Sequence, residues 1–280
     1  CFPKAAPEPV VAPAAAKTTR ARSTTASAPR TTAAVRAPST RASSPRSRSL
    51  AGSGSGGDVG EQRIYHVTHM RNLPAVLASG SLLADLNDQR QDRPEVDISS
   101  SETRDARRKA LISEADQTTV AHFVPFFLSP NATLWQSIRF GETDPRLSAH
   151  ALGSDIADYV VLVSTVKKVL DVAAANGATA IPFVVSDGDA AGATSRFGTT
   201  RDDAERLLRR LRSSQDLEFS PILQAELLVG GSFPLDSVTL IGVAHDKARA
   251  ALKQILDGSG FTPKVAVYPP WFAKVEPVSS

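Results

Sequence analysis

The residues whose types and spacing could do chemistry sit in two apolar stretches far apart in the chain. Leu223-Gln224-Ala225-Glu226-Leu227-Leu228-Val229 holds one carboxylate in a greasy run. Read as a strand, it puts Leu223, Ala225, Leu227 and Val229 on one face and Gln224, Glu226 and Leu228 on the other. Ile64-Tyr65-His66-Val67-Thr68-His69, read with the same period, puts His66 and Thr68 together. His69 falls on the opposite face, where it packs against or caps the following helix. Alone, Glu226 on a half-exposed strand face would need no function. Together the four polar groups suit hydrogen bonding to ligand hydroxyls and stabilisation of positive charge by a carboxylate.

Other chemistries lack their residues. There is no Walker loop, no Gly-x-Gly-x-x-Gly, no Gly-x-Ser-x-Gly elbow and no His-Glu-x-x-His. His66 and His69 point apart on an extended strand, and no third ligand follows, so no metal is expected. No serine is marked as the nucleophile of a triad.

The charge lies mostly outside the part that can fold. Residues 1–62 are largely Ala, Pro, Ser, Thr, Arg and Gly, with nine Lys or Arg against Glu8, Asp58 and Glu61, a net of +6. Because the whole chain is +3, residues 63–280 carry −3. A segment so poor in periodic apolar residues cannot offset its ordering entropy, so 1–62 reads as a disordered basic tail and linker. The body lacks the overall basic excess of a dedicated nucleic-acid binder, so contact with nucleic acid needs a local patch, with the tail as an unspecific assistant. Cys1 is the lone cysteine, which fits a reducing, cytoplasmic setting. No apolar run is long enough for a membrane span, and no signal peptide is expected.

The positioning elements can be read in outline. A strand over 63–68 leads to a short helix over 73–79, with Asn72 as N-cap and Gly80 at its C-terminal end. Residues 84–118 read as a long charged loop with a helical piece from Ser101 to Leu111 carrying Arg104, Arg107 and Arg108. Phe123–Leu128 is β-prone, but Pro125 assigns it to an edge or an irregular strand. The continuous run Tyr159–Val163 predicts a buried central strand, followed by a helix over 166–175 and a strand over 181–185. A charged helix over 200–213 has Leu207, Leu208 and Leu211 as its stripe. Val238–Val243 is expected as the last strand, before a helix over 246–256. Strands outnumber helices without regular βαβ winding, so the class is α+β. The body is read as a domain over 63–260, with 261–280 as a C-terminal extension.

The order His-x-Thr, arginine cluster, aromatic segment, Gln-x-Glu resembles the ADP-ribosyltransferase fold. More specifically, Tyr65-His66-Val67-Thr68-His69-Met70-Arg71-Asn72-Leu73, Phe123-Val124-Pro125-Phe126-Phe127, Ser186-Asp187-Gly188-Asp189-Ala190-Ala191 and Gln224-Ala225-Glu226-Leu227-Leu228-Val229 look like the DarT family. Those enzymes are toxins that ADP-ribosylate bases in single-stranded DNA. The resemblance implies two packed, mainly antiparallel sheets forming an NAD cleft, with flanking helices. It makes Glu226 and Arg107 the catalytic candidates, with Arg104 and Arg108 as alternatives to Arg107. NAD binding falls to His66, Thr68, Asn72, Gln224 and Phe126. The family usually has tyrosines where Phe123 and Phe127 stand here.

Cleavage of the nicotinamide–ribose bond develops oxocarbenium-like charge at the anomeric carbon, as in glycoside hydrolysis. Glu226 would stabilise that charge while Gln224 orients ribose or acceptor. Arg107 would hold the pyrophosphate or stabilise the base once it has lost a proton. Phe126, Phe127 and Trp135 would stack nicotinamide or bases, with core packing the other reading of Phe123 and of one of Phe126 and Phe127. The resemblance implies thymine in single-stranded DNA as acceptor and a macrodomain antitoxin as partner. Guanine, RNA or protein as acceptor, or a catalytically silent nucleic-acid-binding module, are the alternatives.

Overall fold

The computed structural model describes residues 58–115, 117–175, 183–213 and 220–273. Most of the expected disordered tail, residues 181–182 of one predicted strand, and 274–280 lie outside the described residues. The chain divides into two units, Cys1–Ala51 and Gly52–Ser280, and every described residue belongs to the second. In chain order its strands are β1 (Arg63–His69), β2 (Ser81–Leu83), β3 (Leu111–Ser113), β4 (Thr118–Thr119), β5 (Phe123–Phe127), β6 (Tyr159–Thr165), β7 (Phe183–Ser186), β8 (Phe197–Gly198), β9 (Glu226–Gly230), β10 (Ser232–Pro234), β11 (Leu240–Val243) and β12 (Lys264–Val267). The helices are α1 (Leu73–Ser79), α2 (Ser101–Lys109), α3 (Thr133–Phe140), α4 (Ala149–Gly153), α5 (Val166–Ala175), α6 (Arg201–Ser213) and α7 (Asp246–Leu256). The class is α+β, as the sequence implies.

Eight strands form one hydrogen-bonded sheet in the order β12-β11-β6-β1-β5-β9-β7-β8; β10 pairs with β2 and β3 with β4. Neighbours are antiparallel except β11 and β12. The two expected, mainly antiparallel sheets, β12-β11-β6-β1 and β5-β9-β7-β8, are joined into one by a weak seam. β1 pairs with β6 along its whole length, but with β5 only at Tyr65↔Phe127. Pro125 is the cause. The N–H and C=O of a strand residue point to the same neighbour, and the Pro125 carbonyl faces β1, where it receives His66 Nδ1 at 2.8 Å. Its missing N–H faces β1 too, so that ladder stops while the β5–β9 ladder continues through Pro125↔Leu228. Of the two expectations for Pro125, the irregular strand holds and the edge does not: it sits on an interior strand whose ladder to β1 is interrupted.

β6 is buried on both faces, which explains its unbroken apolar run. On one side Ile64, Val160, Leu162, Phe126, Leu227 and Val229 pack with Leu73, Val169, Leu208 and Leu252. On the other, Tyr65, Tyr159, Val161 and Val163 pack with Trp135, Trp271 and Phe272. Each large apolar side chain so buried contributes about 1.5–3 kcal/mol.

The fold also takes in residues from both predicted flanks. Val59–Glu61 form a 3₁₀ turn with Val59 in the core, so the folded part starts before residue 63. β12 pairs with β11 beyond the strand expected to be last, and Trp271 receives Trp135 Nε1 on its carbonyl at 2.7 Å. A Cβ at Gly242 would lie 2.6 Å from Trp271 Cζ3, so only glycine lets that ring lie on β11.

Two local differences bear on the site. α2 stops at Lys109, and β3 and β4 make a hairpin where a plain loop was expected. The predicted strand 223–229 starts only at Glu226, because Pro221–Leu223 form a 3₁₀ turn and Gln224 has helical φ/ψ. Of that strand's alternation, Ala225, Leu227 and Val229 keep the expected shared core face, with Leu228 in a separate cluster.

Candidate active site

Glu226 opens β9 and pairs with Phe127, the residue at the seam. The residue is 6% exposed. Its main chain is fixed by Ser186, whose Oγ accepts from Glu226 N at 3.0 Å and donates to the Gly188 carbonyl at 2.6 Å. Its carboxylate receives Arg107 Nη1 on Oε1 at 3.1 Å and Arg107 Nη2 on Oε2 at 3.0 Å. The Ala190 N–H donates to Oε1 at 3.0 Å. Such two-pronged, charge-assisted pairing fixes orientation as well as charge.

The helix α2 sorts the three candidate arginines. Arg104, Arg107 and Arg108 lie at i, i+3 and i+4, hence on one face. Arg104 binds Asp85 and Asp97, and Arg108 reaches Asp85 at 2.9 Å. Arg107 alone of the three reaches Glu226. Burial acts to lower the Arg107 pKa, but the Glu226 carboxylate, with Asp189 and Asp85, outweighs it and the pKa rises. Arg107 is therefore a permanent cation.

β1 supplies a neutral counterpart. Burial lowers the His66 pKa, against the raising effect of the Pro125 hydrogen bond and with a further push down from Arg90. A carbonyl can only accept, so Nδ1 carries the proton and Nε2 keeps a lone pair. Thr68 is buried, and its Oγ1 accepts Asn72 Nδ2 at 3.2 Å. That amide also exchanges two 2.9 Å bonds with the main chain of Val96. Asn72 stands at the start of α1 without a side-chain capping bond, so its expected N-cap role gives way to a brace between β1 and the loop after β2. His69 accepts Arg71 N at 3.2 Å, capping the next turn as expected.

His66, Thr68, Asn72, Arg107, Gln224 and Glu226 line one cleft of about 720 Å³, within the range of small-molecule sites. Gln224 reaches it from the turn before β9, not from a shared strand face. Phe126 does not line the cleft: it is 1% exposed and packs edge-on against Phe233 at 4.9 Å, beneath His66. Trp135 is 1% exposed and packs edge-on against Tyr159 and Phe272, yet it is among the residues that border the cleft. Phe123 and Phe127 do border the cleft.

Sequence reasoning missed three contributors. Arg90 lines the cleft, and its hydrogen bonds go to the main-chain carbonyls of Leu83 and Asp92 rather than to a carboxylate. Ala190 acts through its backbone, which no residue type reveals. Arg146 binds Asp189 at 3.0 Å from a part of the chain to which no motif drew attention. Among the described residues, no group of three or more His, Cys, Asp or Glu could hold a metal. No described helix is long and apolar enough to cross a membrane.

Comparison with known proteins bears on the family and the fold. The family described as "ssDNA thymidine ADP-ribosyltransferase, DarT" matches residues 65–273. A DNA ADP-ribosyl transferase of Thermus aquaticus is 26% identical over 196 residues, covering 69% of this chain and 80% of that protein. One from Thermus sp. is 23% identical over 215 residues, covering 75% and 95%. The fold is similar to Thermus sp. 2.9 DarT in complex with ADP-ribosylated ssDNA, with TM-score 0.61, 22% identity and 76% and 96% of the two chains covered. It is also similar to the same protein in complex with NAD+, with TM-score 0.56, 22% identity and 76% and 98% covered. Thermosipho africanus DarTG in complex with ADP-ribose has TM-score 0.56 and 16% identity, with 75% and 51% covered. The chain belongs to the DarT family of ssDNA thymidine ADP-ribosyltransferases.

Proposed function

We propose that this NAD-dependent DNA ADP-ribosyltransferase modifies thymine in single strands, with Glu226 and Arg107 as its catalytic pair. The observation that carries the assignment is the doubly bonded Arg107–Glu226 pair in one cleft with the free Nε2 of His66. NAD lies along the β1 wall, where His66 Nε2 and Thr68 bind the ribose beside nicotinamide and Asn72 keeps Thr68 in place. Arg104, Arg107, Arg108 and Arg146 are all committed to carboxylates, and Arg71 and Arg93 border the cleft as exposed side chains, so the pyrophosphate falls to the more buried Arg90. As the bond from nicotinamide to the anomeric carbon breaks, Glu226 stabilises the positive charge that develops there. A thymine ring nitrogen loses its proton to solvent, Arg107 stabilises the anionic base that results, and that nitrogen then bonds to the anomeric carbon. Nicotinamide leaves neutral.

A base held in a duplex cannot enter such a cleft, which favours single strands. The partner is a macrodomain antitoxin that removes the modification, and NAD and DNA place the work in the cytoplasm. The basic residues of the N-terminal segment add unspecific phosphate contacts. The test is labelled NAD with single-stranded oligonucleotides of each base, duplexes and carrier protein. Label on thymine-containing single strands, lost in Glu226→Gln, is expected. Label on protein alone, or an unchanged rate in Glu226→Gln, overturns the reading.

A further inference from the structure

We infer that Arg146 is a positioning residue for Glu226, acting through the loop between β7 and β8. This rests on Glu226 being the catalytic carboxylate. Glu226 Oε1 is held from two sides, by Arg107 and by the Ala190 N–H. Arg107 comes from a helix, but Ala190 sits in a loop and needs its own restraint.

The restraint is Asp189, the residue before it. Asp189 Oδ2 receives Arg146 Nη1 at 3.0 Å, and its Oδ1 receives Ala191 N at 2.9 Å. Ser195 Oγ closes the loop by donating to the Asp189 carbonyl at 2.5 Å. Arg146 is itself anchored. Its Nε and Nη2 bind the two oxygens of Asp144 at 3.0 and 2.7 Å. Asp144 Oδ2 accepts Ser137 Oγ from α3 at 3.1 Å. The chain of contacts thus runs from a buried helix through Asp144, Arg146, Asp189 and Ala190 to one oxygen of Glu226. A lysine could keep the charge but not the three-pronged fork that spans both carboxylates.

Arg146 and Asp189 border the cleft, so direct ligand contact is the competing role. A residue acting only through Glu226 lowers kcat and leaves NAD binding alone, because it touches the transition-state interaction and not the ligand. Two measurements on the full chain test this. In the first, amide hydrogen exchange at Ala190 is followed in wild type, Arg146→Ala and Asp189→Asn. Exchange at Ala190 at least tenfold faster in both variants, with Leu228 unchanged, is expected; unchanged protection at Ala190 overturns the inference. In the second, Arg146→Ala and Asp189→Asn each lower kcat about tenfold, with KM for NAD within about twofold. The double variant falls no further than the worse single one, and Arg146→Lys recovers part of the loss. A rise in KM for NAD with kcat intact would make Arg146 a direct ligand contact and overturn the inference, as would additive losses. If wild type itself transfers no ADP-ribose, the functional reading fails, and the exchange data still decide whether the clamp exists.

Discussion

The two walls of the cleft solve the problem of burying polar groups in opposite ways. The β1 wall is neutral: an imidazole below its usual pKa, a hydroxyl and an amide, each oriented by a neighbouring backbone or side chain. The β9 wall is ionic: a carboxylate clamped by a guanidinium and an amide N–H, backed by a second ion-pair network. Neutral groups can recognise a ligand in its ground state at little desolvation cost. A buried carboxylate is expensive to hold, and its return comes when positive charge develops beside it. Under the proposed function, binding falls to the first wall and rate to the second.

The largest effect should follow from neutralising the β9 wall. Glu226→Gln keeps the shape and removes the charge, and it should slow transfer about a hundredfold or more, with NAD affinity within about threefold. A loss below tenfold would break the division of labour. Arg107→Ala should also slow transfer and, by leaving Glu226 buried without its cation, destabilise the fold by about 3–5 kcal/mol. Urea denaturation checks this, and the comparison sharpens if Arg107→Ala with Glu226→Gln is more stable than Arg107→Ala alone. Arg107→Lys should behave more like alanine than like wild type, since it loses the two-pronged contact.

The β1 wall should respond in KM. Thr68→Val removes a hydroxyl without changing shape and should raise KM for NAD about tenfold while kcat changes less. Asn72→Ala releases both Thr68 Oγ1 and the Val96 main chain, so it should add a stability loss of about 1–3 kcal/mol. If these variants lowered kcat as much as Glu226→Gln, the two walls would not be functionally distinct.

The walls also differ in how far the sequence disclosed them. His66 and Thr68 share a regular strand, so period-2 reading places them correctly. Glu226 was found for the same reason, although Gln224 was wrongly put on its strand, because Pro221 turns the chain just before β9. The arginine could be narrowed only to a helical face; which of Arg104, Arg107 and Arg108 meets Glu226 depends on where Asp85 and Asp97 lie, and those sit in the irregular loop after β2. Phe126 misled because aromatic residues mark cores and ligand sites alike. The role of Pro125 was half legible: the missing N–H was foreseen to disrupt pairing, but which neighbour loses the ladder is a tertiary fact. Arg146 left no signal, since it binds across 43 residues of sequence, while Ala190 lay inside a matched segment that could not disclose its role because it acts through its backbone.

The smallest predicted effect separates the walls by pH. His66 has a folded pKa below its ordinary value of 6.5, chiefly through burial, and burial lowers that of His69 as well. The unfolded chain therefore takes up protons first as pH falls through 6.5, and stability declines from there downward. Above that pH these histidines cost nothing. Asp144 behaves with the same sign in a lower window: hydrogen bonding from Arg146 brings its pKa from 3.8 to about 2, so its contribution is intact above 3.8 and lost as pH falls toward 2. Between pH 7.5 and 5 the β1 wall should therefore weaken while the network behind β9 holds. Urea midpoints measured over that range should fall with decreasing pH in wild type and fall less steeply in His66→Gln. KM for NAD should rise only where folded His66 itself takes up a proton, which burial moves below its ordinary value of 6.5, because a protonated Nε2 can no longer accept from a ribose hydroxyl; kcat should change less. A pH profile in which kcat falls while KM stays flat would move the titrating group to the β9 wall and undo the assignment.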